Sequence, residues 1–584
     1  MIDRGKIERQ LDPGMDNGLQ LDVAVVGAGV GGLYTGYRLV TGEPTPGRDG
    51  NWPPTVNVFE LGSRIAGRLH SVYLPGMEIA GELGGMRYLT SMQIVTTLIE
   101  KVFATELTPV KFPMGDPASL FFYLRRQRFR ADAWTQAQGQ GAKFETRYAL
   151  NAEDVGYSPD QLFNKVIYDV IMADPEMKAK FWDKLQNPTP YQYDFELDAR
   201  DWDAIKPALR YCFPGPYSGR RVNDLGMWNL YKDRTGEEGL QFLADAGGYY
   251  SNTINWNAGE GFQLMVGDFS GPMVTYQTIE GGYDQIAYAL AQALLSHTGT
   301  RIWKENGIVG LRRATDGPRR YELTIANAAS GRHWTVFADA VVLAMPRRSL
   351  ELIDRSPSYF ELFDGTDGAR FRGTLPTSII EPSMKIMMAF EDPWWKDQFG
   401  ALSGESITDL PMRQCYYFGT DPTNLHSLFL SSYNDMDTVS FWKALEQDEL
   451  FVPRATRLVS EADLGPIRSL QAPRVMVEEA LSEARELHGP DITVPDPYAT
   501  LFMDWSRDPF GGGYHAWSAN ISVAGTMRYM RQPRPGEALH VCGEAYSDQQ
   551  GWVEGALCTA ERMLQEHFGL AWPNWLATDY YLGW

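Results

Sequence analysis

The stretch Leu21–Val40, LDVAVVGAGVGGLYTGYRLV, restricts the possible fold more than any other part of the chain. Val23–Val26 are small or branched apolar residues, the composition of a buried parallel strand. Gly27, Gly29 and Gly32 follow at GxGxxG spacing and open a helix. The first glycine permits the tight turn and the second admits a pyrophosphate to the backbone. The third lets helix and strand pack closely, with the helix N-terminus facing the phosphates. A second strand, TVNVFEL, brings up Glu60, whose carboxylate can accept from both ribose hydroxyls. Glu60 lies later than the usual ~20 residues after the glycines. The intervening loop, TGEPTPGRDGNWPPT, accounts for the excess. A lone GxGxxG would be weak, but strand, glycines, helix, strand and acid together predict dinucleotide binding.

Further elements of the same kind lie far along the chain. A helix signal, YDQIAYALAQALL, precedes a strand-rich stretch that ends in ADAVVLAMPRRSL. Near the C-terminus LHVCGE reads as strand plus turn, and GWVEGALCTAERML as a helix with Val553, Ala556, Leu557, Ala560 and Leu564 along one face. Residues 384 to 530 mix strands and aromatics (SMKIMMAF, HSLFLSSY, ATLFMDW). Residues 90 to 270 show no strand–helix alternation and hold amphipathic stretches such as QLFNKVIYDVIM. A chain of 584 residues is long enough for two or three domains. The expected fold is α/β: a discontinuous Rossmann-like dinucleotide-binding domain over 21–68, 275–380 and 532–572, a mixed-sheet substrate domain over 69–145 and 381–531, and a helical insertion over 146–274.

Composition narrows the function. With 74 acids against 53 bases the formal net charge is −21, which repels nucleic acid and anionic lipid, so neither a nucleic acid nor a membrane is an expected partner. The four cysteines are widely separated without a CxxC pair, and the eight histidines form no HExxH cluster. No metal is expected. The N-terminal stretch lacks the apolar core of a secretory signal, and no apolar run approaches the ~20 residues of a membrane helix. A cytoplasmic protein is expected.

Within GELGGMRYL, residues 81–89, one arginine stands among glycines, leucines and a methionine. Such surroundings reject a permanent charge unless it meets an anion. From here the motifs resemble those of the flavin-dependent amine oxidase superfamily, and within it the L-amino-acid oxidases. The resemblance covers nearly the whole chain in order, and is least specific at the termini and over 90–270. ELGSRIAGRL (60–69) is similar to the family's E-x-x-x-R-x-G-G-R segment, with Ala66 where a glycine is usual. GGMR (84–87) is similar to the G-P-M-R segment, whose arginine binds the substrate carboxylate. PSMKIMM carries Lys385 where the family places a lysine that holds a water near flavin N5. HVCGEAYSDQQGWVEGAL resembles the C-terminal flavin motif, with Glu544 near the ribityl–pyrophosphate and Gly551–Trp552 at the flavin face.

The resemblance implies FAD held non-covalently, Cys542 not being where a flavin-linking cysteine belongs. It assigns Gly27, Gly29, Gly32, Glu60, Arg68, Gly85, Met86, Ile308, Glu544, Trp552 and Val553 to the cofactor. It assigns Arg87, Tyr433, Trp505, Gly551 and Trp552 to an L-amino acid, and a catalytic role to Lys385. The implied reaction passes the Cα hydrogen as hydride to flavin N5, and water and oxygen then yield a 2-oxo acid, ammonia and hydrogen peroxide. A homodimer is the default. An L-amino-acid 2-monooxygenase, which decarboxylates the substrate to an amide, shares these motifs. An oxidase of simple amines fits less well, because an amine offers Arg87 no carboxylate. A flavin-binding protein without turnover is a further alternative.

Each residue also has a plainer reading. Arg87 could cap a helix or pair with Glu82 or Glu78. Lys385 could be a strand-end lysine in solvent, although Met384, Ile386, Met387 and Met388 make exposure uncomfortable. Trp552 could be a core aromatic at a helix start. Asp245, Glu260 and Asp548 could recognise a cationic substrate side chain, but among so many acids a solvated surface is expected. The aromatic C-terminal stretch WPNWLATDYYLGW could cover a surface or an oligomer contact. Which amino acid is preferred stays open.

Overall fold

A computed structural model describes residues 2–11, 14–46, 52–185, 189–249, 255–269, 275–354, 363–453 and 460–584. Part of the loop TGEPTPGRDGNWPPT lies outside them. Strand Leu19–Val26 is central in a seven-stranded sheet, parallel to Val56–Phe59 on one side and His333–Ala344 on the other. Arg301–Trp303 and Leu539–Cys542 extend the parallel part, while Tyr321–Asn327 and Asn306–Arg313 add an antiparallel edge. One sheet is therefore assembled from strands hundreds of residues apart. Helices Val30–Thr41, Gln285–Leu295 and Val553–Phe568 cover it. On the last, Ala556, Leu557, Ala560 and Leu564 are buried and Val553 is half-buried, which is the expected face.

A second, mixed sheet runs in the order Ala499–Asp504, Ser383–Phe390, Ser427–Asp435, Gln414–Thr420, Gly404–Thr408, Phe121–Leu124, Gln127–Arg130. Every residue of Ser383–Phe390 is buried, so Lys385 is not a strand-end lysine in solvent. The last two strands fall where the sequence shows no strand–helix alternation. A ribbon of Ser378–Glu381 and Tyr514–Trp517 stands apart from both sheets. Between Arg130 and Tyr276 the described residues form helices and no strand ladder. QLFNKVIYDVIM lies in helix Pro159–Ala173, which starts at a Ser158/Gln161 capping box and buries Leu162, Val166 and Val170. Among the described residues no helix is long and apolar enough to cross a membrane.

One expectation is corrected. Asp245, Glu260 and Asp548 are not solvated: their side chains are 8%, 10% and 8% exposed. Tyr148 donates to Asp245 at 2.7 Å. Buried Lys206 lies 2.8 Å from Glu260 and 3.9 Å from Asp548, so these acids are spent on an internal cation. The aromatic C-terminal stretch packs on its own chain: Leu576 and Leu582 are buried, Tyr580 donates to Glu554 at 2.6 Å, and the Trp584 N–H donates to Asp548 at 3.2 Å.

Candidate active site

The two sheets enclose a cavity of about 1430 Å³, larger than the roughly 300–1,000 Å³ of an ordinary small-ligand site. One end is built by the glycine turn. Gly27 has φ +106°, and a Cβ there would stand 2.4 Å from the Ala344 carbonyl oxygen. Gly29 caps helix Val30–Thr41, and the space beside it is open, the nearest atom to a Cβ there being Gly67 Cα at 3.9 Å. Gly32 does not line the cavity. A Cβ on it would meet the Gly27 carbonyl oxygen at 1.9 Å, so its work is to seat helix on strand.

Glu60 follows strand Val56–Phe59 onto the cavity wall, where the Ala28 and Gly62 N–H groups each donate to it at 2.8 Å. The segment after it is pinned by Arg64, which donates to the carbonyls of Ile65, Gly67 and Leu69. Ala66 sits at φ +77°, a left-handed conformation that costs an alanine roughly 1–2 kcal/mol, and its N–H donates to Ala28 O at 2.9 Å. The site the family gives to glycine is therefore occupied by a strained alanine.

Glu544 is a hub. Arg68 donates to it at 2.8 Å, His515 through its backbone N–H at 3.0 Å and pairs through Nδ1 at 2.9 Å, and the Gly551 N–H donates at 2.8 Å. Burial pushes the carboxyl up, but Arg68 and His515 outweigh it and hold the pKa down to about 2. The loop to Gly551, itself at φ +83°, is fixed by this anion. Trp552 ends that loop as the N-cap of helix Val553–Phe568, its ring nearly parallel to Tyr276 at 6.4 Å. It faces the cavity and is not a core aromatic.

At the other end stands Arg87, 8% exposed. It neither caps a helix nor pairs with Glu78 or Glu82, and among the described residues no carboxylate comes within ion-pair distance. Its Cζ lies 4.0 Å from the Tyr276 ring centroid and 5.2 Å from that of Phe112, and Nη1 donates to Met114 Sδ at 3.2 Å. Glu82 is engaged instead by Ser71 and the Tyr283 N–H. Lys385 donates to the carbonyls of Gly84 at 2.6 Å and Glu82 at 3.2 Å, with Nζ 4.6 Å from the Tyr433 ring centroid. Burial pulls its ammonium down to about 7, Glu82 opposing and Arg87 reinforcing. Tyr433 faces Lys385 in register across the sheet. Trp505 donates to Leu83 O at 2.7 Å and walls the cavity.

Gly85, Met86, Ile308 and Val553 complete the lining, so every residue expected at the site except Gly32 borders one cavity. The sequence reading passed over Arg64, Tyr249, Tyr276, His515 and Tyr514. Arg64 stands in a motif already quoted. Tyr514 and His515 stand in the stretch MDWSRDPFGGGYHAW that supplies Trp505, and Tyr249 and Tyr276 come from remote segments whose local pattern carries no signal.

The fold and this cavity join a glycine turn at the N-terminus of a helix to a region lined by Arg87, Lys385 and Tyr433. The sequence pattern described as flavin containing amine oxidoreductase matches residues 30–563, and the chain belongs to that family. Its cofactor is a flavin, and the open space at Gly29 beside Glu60 and the helix N-terminus fits a dinucleotide form. Aplysianin-A of Aplysia kurodai is 23% identical over 94% of this chain and 90% of its own. Achacin of Lissachatina fulica is 23% identical over 94% and 93%, and L-amino-acid oxidase 4 of Hebeloma cylindrosporum 22% identical over 94% and 82%. Wild-type putrescine oxidase bound to putrescine superposes with a TM-score of 0.56 at 16% identity, covering 94% of this chain and 99% of that one, which speaks for the fold alone.

Proposed function

We propose that the protein is an FAD-dependent oxidase of L-amino acids that forms a 2-oxo acid, ammonia and hydrogen peroxide, with oxygen as acceptor. The observation that carries this is Arg87: a buried guanidinium on the wall of the cavity, held by rings rather than by a carboxylate. Its two parallel donors match the two oxygens of an α-carboxylate and fix its orientation. The Tyr433 hydroxyl adds a donor, and Trp505 and Trp552 wall the substrate. The Gly551 carbonyl is the acceptor for the amine, on a loop that Glu544 holds rigid. Lys385, held by the carbonyls of Glu82 and Gly84, is the residue that holds a water beside the flavin. The flavin, when bound, accepts the hydride leaving Cα. The FAD is taken to be held non-covalently, and Cys542 is buried against Thr35.

The test is a product assay on purified yellow protein offered the common L-amino acids singly. Peroxide and 2-oxo acid in equal amounts are expected. Amide and carbon dioxide instead of peroxide would make the protein a monooxygenase. Peroxide from simple amines alone would remove the role of Arg87.

A further inference from the structure

Two buried carboxyls beside the cavity have no part in this chemistry. Glu381, 0% exposed, ends the strand Ser378–Glu381. One of its oxygens accepts the Trp256 indole N–H at 3.0 Å, and the other, Oε2, has no hydrogen-bond partner among the described residues. Burial first, then the neighbouring Asp435, push this carboxyl up to about 8 and keep it a neutral acid. Asp435, 1% exposed, accepts the Tyr514 hydroxyl at 3.2 Å. Tyr514 pairs with Glu381 directly across the ribbon, so both side chains stand on one face.

The position of this group matters. Tyr514 and Trp256 line the cavity, and Tyr514 Cδ2 lies 3.6 Å from where a Cβ on Gly551 would be, at the amine end of the proposed substrate site. Ile380, Pro382, Met436 and Gly512 line a different, outer groove of about 420 Å³. These are the chain neighbours of Glu381, Asp435 and Gly513, so the segments that carry the two carboxyls run between cavity and groove.

We propose that Tyr514 and Asp435, backed by Glu381, relay a proton from the substrate's ammonium group in the cavity to the outer groove. The proposal rests on the amino-acid reading of the site. An α-ammonium must lose one proton before its lone pair can assist departure of the Cα hydrogen. In the relay an N–H bond of the ammonium breaks and its electron pair stays on nitrogen. The proton binds the Tyr514 oxygen while the Tyr514 O–H proton passes to Asp435 Oδ2. No electron leaves the substrate in this step. From Asp435 the proton passes on toward the outer groove. Glu381 is a positioning residue, anchored by Trp256 beside Asp435.

The other charged groups nearby are committed elsewhere. His515 pairs with Glu544, and Arg347 donates to the Ser378 carbonyl. On the groove side Lys443 pairs with Asp504 and Arg348 with Asp508. Lys385 and Tyr433 face the pair from the cavity.

The experiment is anaerobic stopped-flow bleaching of the flavin in the holoenzyme by an equimolar mixture of the common L-amino acids. Wild type is compared with Tyr514→Phe, Asp435→Asn and Glu381→Gln. Near pH 6.5 the first two should reduce the flavin about tenfold or more slowly than wild type. They should recover to within about twofold near pH 10, where amines reach the site already neutral. Glu381→Gln keeps the acceptor for Trp256 and should shift the pH at which the rate rises. Tyr514→Phe preserves the ring over Gly551, so the test survives even if Asp435→Asn fails to fold. Unchanged rates near pH 6.5 in Tyr514→Phe would overturn the relay, as would a loss that persists near pH 10. A wild-type flavin that the mixture does not bleach would overturn the amino-acid reading itself, and the relay with it.

Discussion

Arg38, Arg531 and Arg87 are all under 9% exposed, but only the first two have carboxylates: Arg38 meets Glu561 and Arg531 meets Glu566. Taking a charged group out of water costs several kcal/mol. The rings of Tyr276 and Phe112 return about 0.5–2 kcal/mol each. Arg87 therefore keeps its charge without a carboxylate at ion-pair distance among the described residues, which leaves its parallel donors for an incoming carboxylate. Arg87→Lys should separate charge from geometry, because an ammonium on a shorter reach cannot span both carboxylate oxygens. The expected outcome is a fall in kcat/KM of roughly 10- to 100-fold for an amino acid, as for one lost charge-assisted bond. Flavin content should be unchanged. Comparing an amino acid with the amine left by its decarboxylation checks this, since the amine should show no such loss.

The two glycines Gly29 and Gly32 occupy one element yet do different work, and substitution should separate them. Gly32→Ala drives a methyl to 1.9 Å from the Gly27 carbonyl oxygen and 3.1 Å from Ala344 Cβ, both in the packed interface of helix and sheet. Gly29→Ala meets no protein atom closer than 3.9 Å and projects into the cavity. The first should fail to accumulate as folded protein, with a cost of several kcal/mol. The second should fold like wild type and lose flavin, read as absorbance per mole of purified chain. The strand, turn and helix around these glycines were legible because their physical constraints are local. The strands Phe121–Leu124 and Gln127–Arg130 were not. Their hairpin turns through Arg125 and Arg126 at φ +48° and +62°, where a sequence reading looks for Asn-Gly. Arg87, Lys385 and Glu544 were legible through motifs, whereas Tyr276 meets Arg87, and Tyr514 the cavity, only because remote strands close together.

Long-range charge burial binds the molecule together and was invisible in sequence for the same reason. Lys206 and Glu260 belong to the helical region and Asp548 to the loop between Glu544 and Gly551; they meet in the interior, where Lys206 is 2% exposed. Asp548 also receives the backbone N–H of Trp584 and lies three residues before Gly551, so the cluster joins the helical region, the loop before Gly551 and the aromatic C-terminal stretch. Lys206→Met removes the cation and leaves two buried acids. Burial already raises both carboxyls, with Lys206 holding them down, so its loss raises them further. A carboxyl raised in the folded state contributes stability below its unfolded pKa and loses it as pH rises through the folded one. The variant should therefore melt close to wild type near pH 5 and be weaker by about 3–5 kcal/mol near pH 8, the cost of breaking a buried pair. Scanning calorimetry at the two pH values distinguishes this from plain loss of packing, which would lower the transition equally at both. An equal offset would mean that the cluster is held by shape and not by charge.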